Sequence, residues 1–141
     1  MSASMNPTQP ILIVEDNVDD GELLLRAFKD SRFHGRLALL RDGDEALKKL
    51  HSLGDSSSDL PALVLLDLDL PKVGGLEVLR RMRAHARLKY VPVVVLTSNE
   101  DDGQRWRALD CGASLFLSKP HDARSFDKLA RWIEDLLGFL D

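Results

Sequence analysis

The sequence predicts a doubly wound α/β domain, a five-stranded parallel sheet covered by helices on both faces. Three observations carry that expectation. Short apolar runs rich in Val, Ile and Leu recur along the chain and read as strands buried on both sides. Each run is followed by apolar residues at helical spacing, so strands and helices alternate strictly. Polar residues stand just after several runs, at the strand ends where open α/β sheets form their ligand crevice.

The totals agree with one water-soluble domain. The chain has 141 residues, 44% hydrophobic and 30% charged, enough to bury a core. Residues 1–9 are small and polar, read as a disordered arm and not as a secretory signal; the domain is expected over 10–141. A net charge of −4 argues against a general nucleic-acid binder. The single Cys111 forms no internal disulfide and fits a reducing, cytoplasmic compartment. No run approaches the roughly 18 apolar residues of a membrane span.

The first strand is expected over residues 10–14, ending in Glu15-Asp16-Asn17. Asp19 or Asp20 is expected to cap the first helix, which buries Leu24, Leu25 and Phe28. The second strand covers 37–40, and Asp44 is the expected cap of a helix carrying Ala46, Leu47, Leu50 and Leu53. Residues 54–59, Gly-Asp-Ser-Ser-Ser-Asp, read as a surface loop. The apolar run 62–66 is the third strand, ending at Asp67, with Asp69 and Pro71 beyond. Lys72-Val-Gly-Gly75 is a loop suited to unusual dihedrals, followed by a helix with Leu76, Leu79 and Met82 on one side. Residues 91–96 form the fourth strand, ending in Thr97-Ser98. The fourth helix is expected over 100–111, the fifth strand over 114–118 ending at Lys119-Pro120, and the fifth helix over 123–140. That last helix aligns Phe126, Leu129, Ile133, Leu136 and Leu140. The basic cluster Arg80, Arg81, Arg83, Arg87 and Lys89 reads as a solvated face, the four histidines as surface residues, and Cys111 as a small buried hydrophobe.

In a doubly wound sheet of order 2-1-3-4-5, strands 1, 3, 4 and 5 are contiguous. Their ends would then gather Glu15, Asp16, Asp67, Thr97 and Lys119. Two like charges about 4 Å apart cost about 4 kcal/mol at an effective dielectric of about 20. A hard divalent cation relieves such crowding, and a site with few protein ligands suits Mg²⁺. Lys119 can hold an anion and the Thr97 hydroxyl can donate to a phosphoryl oxygen. The set fits Asp67 as a nucleophile that forms an aspartyl phosphate.

These motifs, Glu15-Asp16, Asp67-Leu-Asp-Leu-Pro71, Thr97-Ser98 and Gly112-Ala-Ser-Leu-Phe-Leu-Ser-Lys-Pro120, resemble the receiver domain of two-component response regulators over residues 10–140. The resemblance implies a flavodoxin-like fold and a phosphoryl group accepted on Asp67 from a sensor histidine kinase. It implies Mg²⁺ bound by Asp16, Asp67 and the main-chain carbonyl of Asp69, with Glu15 acting through water. Thr97 and Phe116 become the switch pair, and helix 4, strand 5 and helix 5 the partner-binding face. Receivers act as phosphoacceptors with slow self-dephosphorylation and not as enzymes. Asp69 and Asn99 occupy positions that tune phosphoryl lifetime. The loop lacks the Asp that the family usually places before the second Gly, a turn-shaping residue outside the site. With no output domain after the last helix, the signal is expected to leave through a downstream protein or a phosphotransfer protein, without nucleic acid or membrane. The sequence most resembles regulators of phytochrome-type kinases; a phosphorelay shuttle or a chemotaxis-type regulator is the alternative.

Asp67-Leu-Asp69 also resembles the nucleophile motif of haloacid-dehalogenase-type phosphatases, but those carry acid groups after the lysine and a cap. A flavin module would need a phosphate loop after the first strand, which is missing. A degenerate receiver serving as a scaffold would not keep the full set of site residues. On the last helix, Trp132 and Phe139 lie roughly 80–100° off the buried stripe. They either cover the sheet edge or form an apolar flank for a partner or a second copy of the chain.

Overall fold

The computed structural model describes residues 9–33, 35–55, 60–98 and 101–137. Strands Ile11–Val14 (β1), Leu37–Leu40 (β2), Leu63–Asp67 (β3), Val93–Thr97 (β4) and Leu115–Ser118 (β5) form one parallel sheet of order 2-1-3-4-5. Helices Val18–Lys29 (α1) and Ala123–Leu137 (α5) cover one face; Gly43–Asp55 (α2), Gly75–Ala84 (α3) and Asp102–Asp110 (α4) cover the other. Period-two alternation divides each strand between two cores. Leu12, Val14, Val64, Leu66, Val93 and Val95 pack with α2, α3 and α4, whereas Ile11, Ile13, Leu63, Leu65, Val94 and Leu96 pack with α1 and α5. Each such fully buried side chain contributes about 1.5–3 kcal/mol. No helix among the described residues is long and apolar enough to cross a membrane.

Several boundaries differ from expectation for local reasons. Asn17, not Asp19 or Asp20, caps α1, its side chain accepting from the Asp20 amide at 3.0 Å. Asp42 replaces Asp44 at the start of α2, its Oδ1 accepting from the Glu45 amide at 2.7 Å. Gly54 and Asp55 continue α2 instead of opening a loop, and residues 56–59 lie outside the described residues. The fourth strand starts later than residue 91 because the Val91 amide closes a short 3₁₀ turn, Leu88–Tyr90, onto the Leu88 carbonyl. It also takes in Thr97, paired in register with Ser118. Asp101 caps α4; residues 99 and 100, including the expected lifetime position Asn99, are outside the described residues. On α5, Leu136 is exposed, and the buried positions are Phe126, Ala130, Ile133 and, unforeseen, Glu134. Glu134 accepts from the Arg32 amide at 3.0 Å and so ties α5 to the end of α1. Residues 1–8 of the expected arm 1–9, and the expected stripe and flank residues Leu140 and Phe139, also fall outside the described residues, while Gln9 is described and half-buried.

Two surface assignments are corrected. Arg83 is not part of a solvated face: Nε donates to the Gly112 carbonyl at 2.9 Å, and Nη1 to Val91 at 2.8 Å and Lys89 at 3.2 Å. Its guanidinium thereby joins α3, the approach to β4 and the end of α4, where Gly112 turns the chain with φ +104°. Arg87 likewise donates to the Gly54 carbonyl at the end of α2. His85 is half-buried, its Nδ1 accepting from the amides of Arg87 and Leu88 at 3.0 and 3.2 Å. Cys111 is half-buried and packs at the edge of the core.

The unusual dihedral between β3 and α3 belongs to Lys72, at φ 67°, and not to a glycine. For a residue with a Cβ, that left-handed conformation costs about 1–2 kcal/mol. Gly74 has an ordinary φ of −68°, and Gly75 serves close packing: a Cβ there would lie 2.5 Å from the Asp67 carbonyl oxygen.

Replacing Arg83 with Met should lower the unfolding free energy in urea by about 2 kcal/mol, because several carbonyls lose a charged donor. Arg83→Lys should recover less than half of the loss, since a single ammonium cannot span the same carbonyls.

Candidate functional site

The site stands at the carboxyl edge of the sheet, where β1 and β3 lie side by side. Asp67 ends β3 with the residue only 4% exposed. Its Oδ1 accepts from the Asp69 amide at 3.1 Å, and its Oδ2 lies 3.3 Å from the Lys119 ammonium. Glu15 follows β1, held by its own amide donating to the Leu40 carbonyl at 2.9 Å. Its carboxylate is buried, with Oε2 accepting from the Asn17 amide at 3.1 Å and Oε1 at 2.7 Å from Lys119 Nζ. Lys119 reaches this point because its amide donates to the Thr97 carbonyl at 2.9 Å, carrying β5 one step past its last paired residue. Asp20, in the first turn of α1, contacts the same ammonium at 3.4 Å. One buried cation therefore stands among Glu15, Asp67 and Asp20.

Negative charge still exceeds positive charge here, and Glu15 is in addition fully buried. Burial, opposed by the Lys119 contact and reinforced by nearby Asp67, pushes the Glu15 carboxyl up to about 7. For Lys119, burial works toward a lower pKa, but Glu15, Asp67 and Asp20 together outweigh it and hold the ammonium above its ordinary range. Glu15 is the group on which a proton relieves the surplus charge beside Lys119.

Carboxylate oxygens of Glu15, Asp16 and Asp67 come within 4.8 Å of one another. Glu15 and Asp67 are buried whereas Asp16 is exposed, so hard oxygen donors stand on one side and solvent on the other. That donor set fits a small divalent cation that keeps several waters. The Asp69 side chain is exposed and outside this trio, so a part for Asp69 in metal binding falls to its main chain.

Thr97 and Phe116 lie on neighbouring strands, with Thr97 opposite Ser118 and Val95 opposite Phe116. Both are buried, and the Phe116 ring packs into the core beneath α2, α3 and α4. The Arg105 guanidinium of α4 lies 5.2 Å from the ring centre, a contact that residue spacing does not reveal. Glu15, Asp16, Asp67, Thr97 and Lys119 thus stand at the same sheet edge, whereas the Asp69 side chain points away and Phe116 lies two residues back along β5 with its ring in the core. Asp20 is the addition: helical spacing assigns it to capping, and only Asn17 taking the cap leaves it facing Lys119.

The family model described as the response regulator receiver domain matches residues 11–131. Among curated proteins, the chain is 43% identical over 126 residues to the probable methanogenesis regulatory protein FilR2 of Methanothrix harundinacea, covering 89% of this chain and 79% of that one. It is 36% identical over 135 residues to the response regulator Rcp1 of Synechocystis, covering 95% and 92%. The crystal structure of the phosphorylated cyanobacterial phytochrome response regulator RcpA superposes with a TM-score of 0.83 at 31% identity, covering 92% of this chain and 93% of that one. The Mn²⁺-bound form of Rcp1 gives a TM-score of 0.81 at 32% identity, covering 94% and 97%.

Lys119→Met should cost about 3 kcal/mol of unfolding free energy in chelator, since it leaves buried carboxylates without their cation. Millimolar divalent cation should restore part of the loss. A pH series on the parent in chelator reads out Glu15. Its folded pKa of about 7 lies above the ordinary 4.5, so between these values the folded protein holds a proton that the unfolded chain has released. That contribution should be fully present below about 4.5 and should fall away as pH rises through about 7, a decline that Glu15→Gln removes.

Proposed function

The chain belongs to the response regulator receiver family, and on that premise we propose that it is a switch driven by phosphorylation of Asp67 by a sensor histidine kinase. The observation that carries the reading is the buried Asp67 carboxylate, flanked by the Lys119 ammonium and by two carboxylates able to share a cation. An oxygen of Asp67 attacks the phosphorus of the donor phosphohistidine. The P–N bond breaks, its electron pair stays on the imidazole nitrogen, and an acyl phosphate forms. Asp16, Asp67 and the main chain of Asp69, with Glu15 through water, would hold Mg²⁺, which neutralises charge on the transferring group. Lys119 pairs with a phosphoryl oxygen, and Thr97 turns its hydroxyl to another. Phe116 follows Thr97, and the rearrangement passes to α4, β5 and α5.

The protein serves as a stoichiometric acceptor that loses its phosphoryl group slowly, not as a turnover enzyme. Its similarity to RcpA, described as a phytochrome response regulator, supports a phytochrome-type kinase as the donor. The acidic balance supports a protein or phosphotransfer protein downstream instead of nucleic acid, and the lone cysteine fits the cytoplasm. On α5, Trp132 is 46% exposed and borders a shallow, mostly apolar groove with Leu117, Pro120 and Leu129. That groove supports a second copy of the chain, or the downstream partner, docking beside β5.

Intact mass after incubation with Mg²⁺ and acetyl phosphate tests the central step. The parent should gain one phosphoryl group, labile to hydroxylamine, and Asp67→Asn none; an adduct of equal yield on both would overturn the assignment. For the groove, Trp132→Ala should weaken self-association, or binding to the downstream partner, by at least about tenfold. Unchanged sedimentation together with unchanged partner affinity would remove the groove from the interface.

A further inference from the structure

Away from the acidic site, the start of α2 is locked onto the loop between β3 and α3. Gly43 is the contact point. A Cβ there would lie 1.8 Å from the Val73 carbonyl oxygen, so the loop backbone occupies the space of a side chain. The Gly43 amide donates to the Pro71 carbonyl at 3.4 Å. Beside it, Asp42 uses one carboxylate oxygen to cap α2 and places the other 3.4 Å from the Lys72 ammonium. Lys72 is also the residue held at φ 67°, and a side-chain-bearing residue stays in that conformation only when its surroundings over-determine it. Gly43 touches the residues on either side of Lys72, Pro71 and Val73, and Asp42 meets its ammonium. At its other end the loop is fixed by the Gly75 amide donating to the Leu68 carbonyl at 3.1 Å.

Between these two anchors lies Asp69, whose amide holds the Asp67 carboxylate. We propose that Asp42, Gly43 and Lys72 are positioning residues for the cation site: their clasp on the loop fixes the main chain at Asp69 and, through it, the Asp67 carboxylate. The inference rests on the reading of that site as a divalent-cation site and adds to it residues that supply no ligand, at the start of α2 and on the loop itself. Gly74 provides the contrast. It lies on the same loop, but a Cβ there meets nothing within 4 Å and its φ of −68° suits any residue.

The test uses Mn²⁺ as probe, counting free ion by its paramagnetic resonance signal, with far-ultraviolet dichroism to verify folding of each variant. Gly43→Ala should weaken Mn²⁺ binding about tenfold, the size typical of a lost outer support. It should also speed hydrogen exchange at the Asp69 amide in metal-free protein. Gly74→Ala should leave both unchanged. Lys72→Ala should weaken binding about threefold in low salt and Lys72→Arg should not, as expected for an exposed ion pair. If the parent itself binds no Mn²⁺, the cation reading of the site fails, and this inference with it. If the parent binds and a folded Gly43→Ala binds equally well, the clasp alone is overturned. Should Gly43→Ala fail to fold, the lysine pair decides: equal affinities of Lys72→Ala and the parent overturn the proposal.

Discussion

The ammonium of Lys119 is the interaction on which the carboxyl edge of the sheet depends. Buried carboxylates on adjacent strands repel one another, and nothing in β1 or β3 alone would keep Glu15 and Asp67 together. Lys119 does so from the far side of the sheet, because β5 delivers it past Thr97 into their midst. Strand order, the register of β4 with β5 and the buried state of Glu15 are thus conditions for one another. A phosphoryl group and a cation arriving together would meet a site in which the cationic partner is already placed, so little reorganisation is left for the transfer itself.

Much of this was legible in the sequence, and the reasons are physical. Strands buried on both faces must be apolar throughout, so Asp67 at the end of such a run stood out at once. Alternation with helices then fixed parallel strands, and the ends of those strands brought Glu15, Asp16, Thr97 and Lys119 to the same edge. Caps were less legible, because acidic and amide side chains near a helix start compete on nearly equal terms. That competition explains how Asn17 displaced Asp20 and how Asp20 came to face the lysine.

The arginines and His85 were not legible at all. Their stems and charges read as surface, yet Arg83, Arg87 and His85 satisfy main-chain groups at helix ends that residue spacing cannot locate. Glu134 belongs with them, a buried carboxylate whose partner is an amide about a hundred residues away in sequence. Lys72 is similar: its φ of 67° falls in a loop packed against Gly43 of α2, a neighbour the loop's own sequence does not mention. Local pattern encodes the apolar layers well, whereas polar groups that serve distant backbone are visible only once the chain is folded.

Helix α4 buries a single residue, Ala108, while Trp106 and Leu109 point outward and the Arg83 contact at Gly112 secures its far end. Such a helix owes little of the domain's stability to its own side chains, so its outer surface can be rewritten by mutation at small cost to folding. Cells that run many related switches side by side face the problem of crosstalk. A segment beside Phe116 that is nearly neutral for stability lets each copy drift toward its own listener, while the acidic site around Asp67 stays the same.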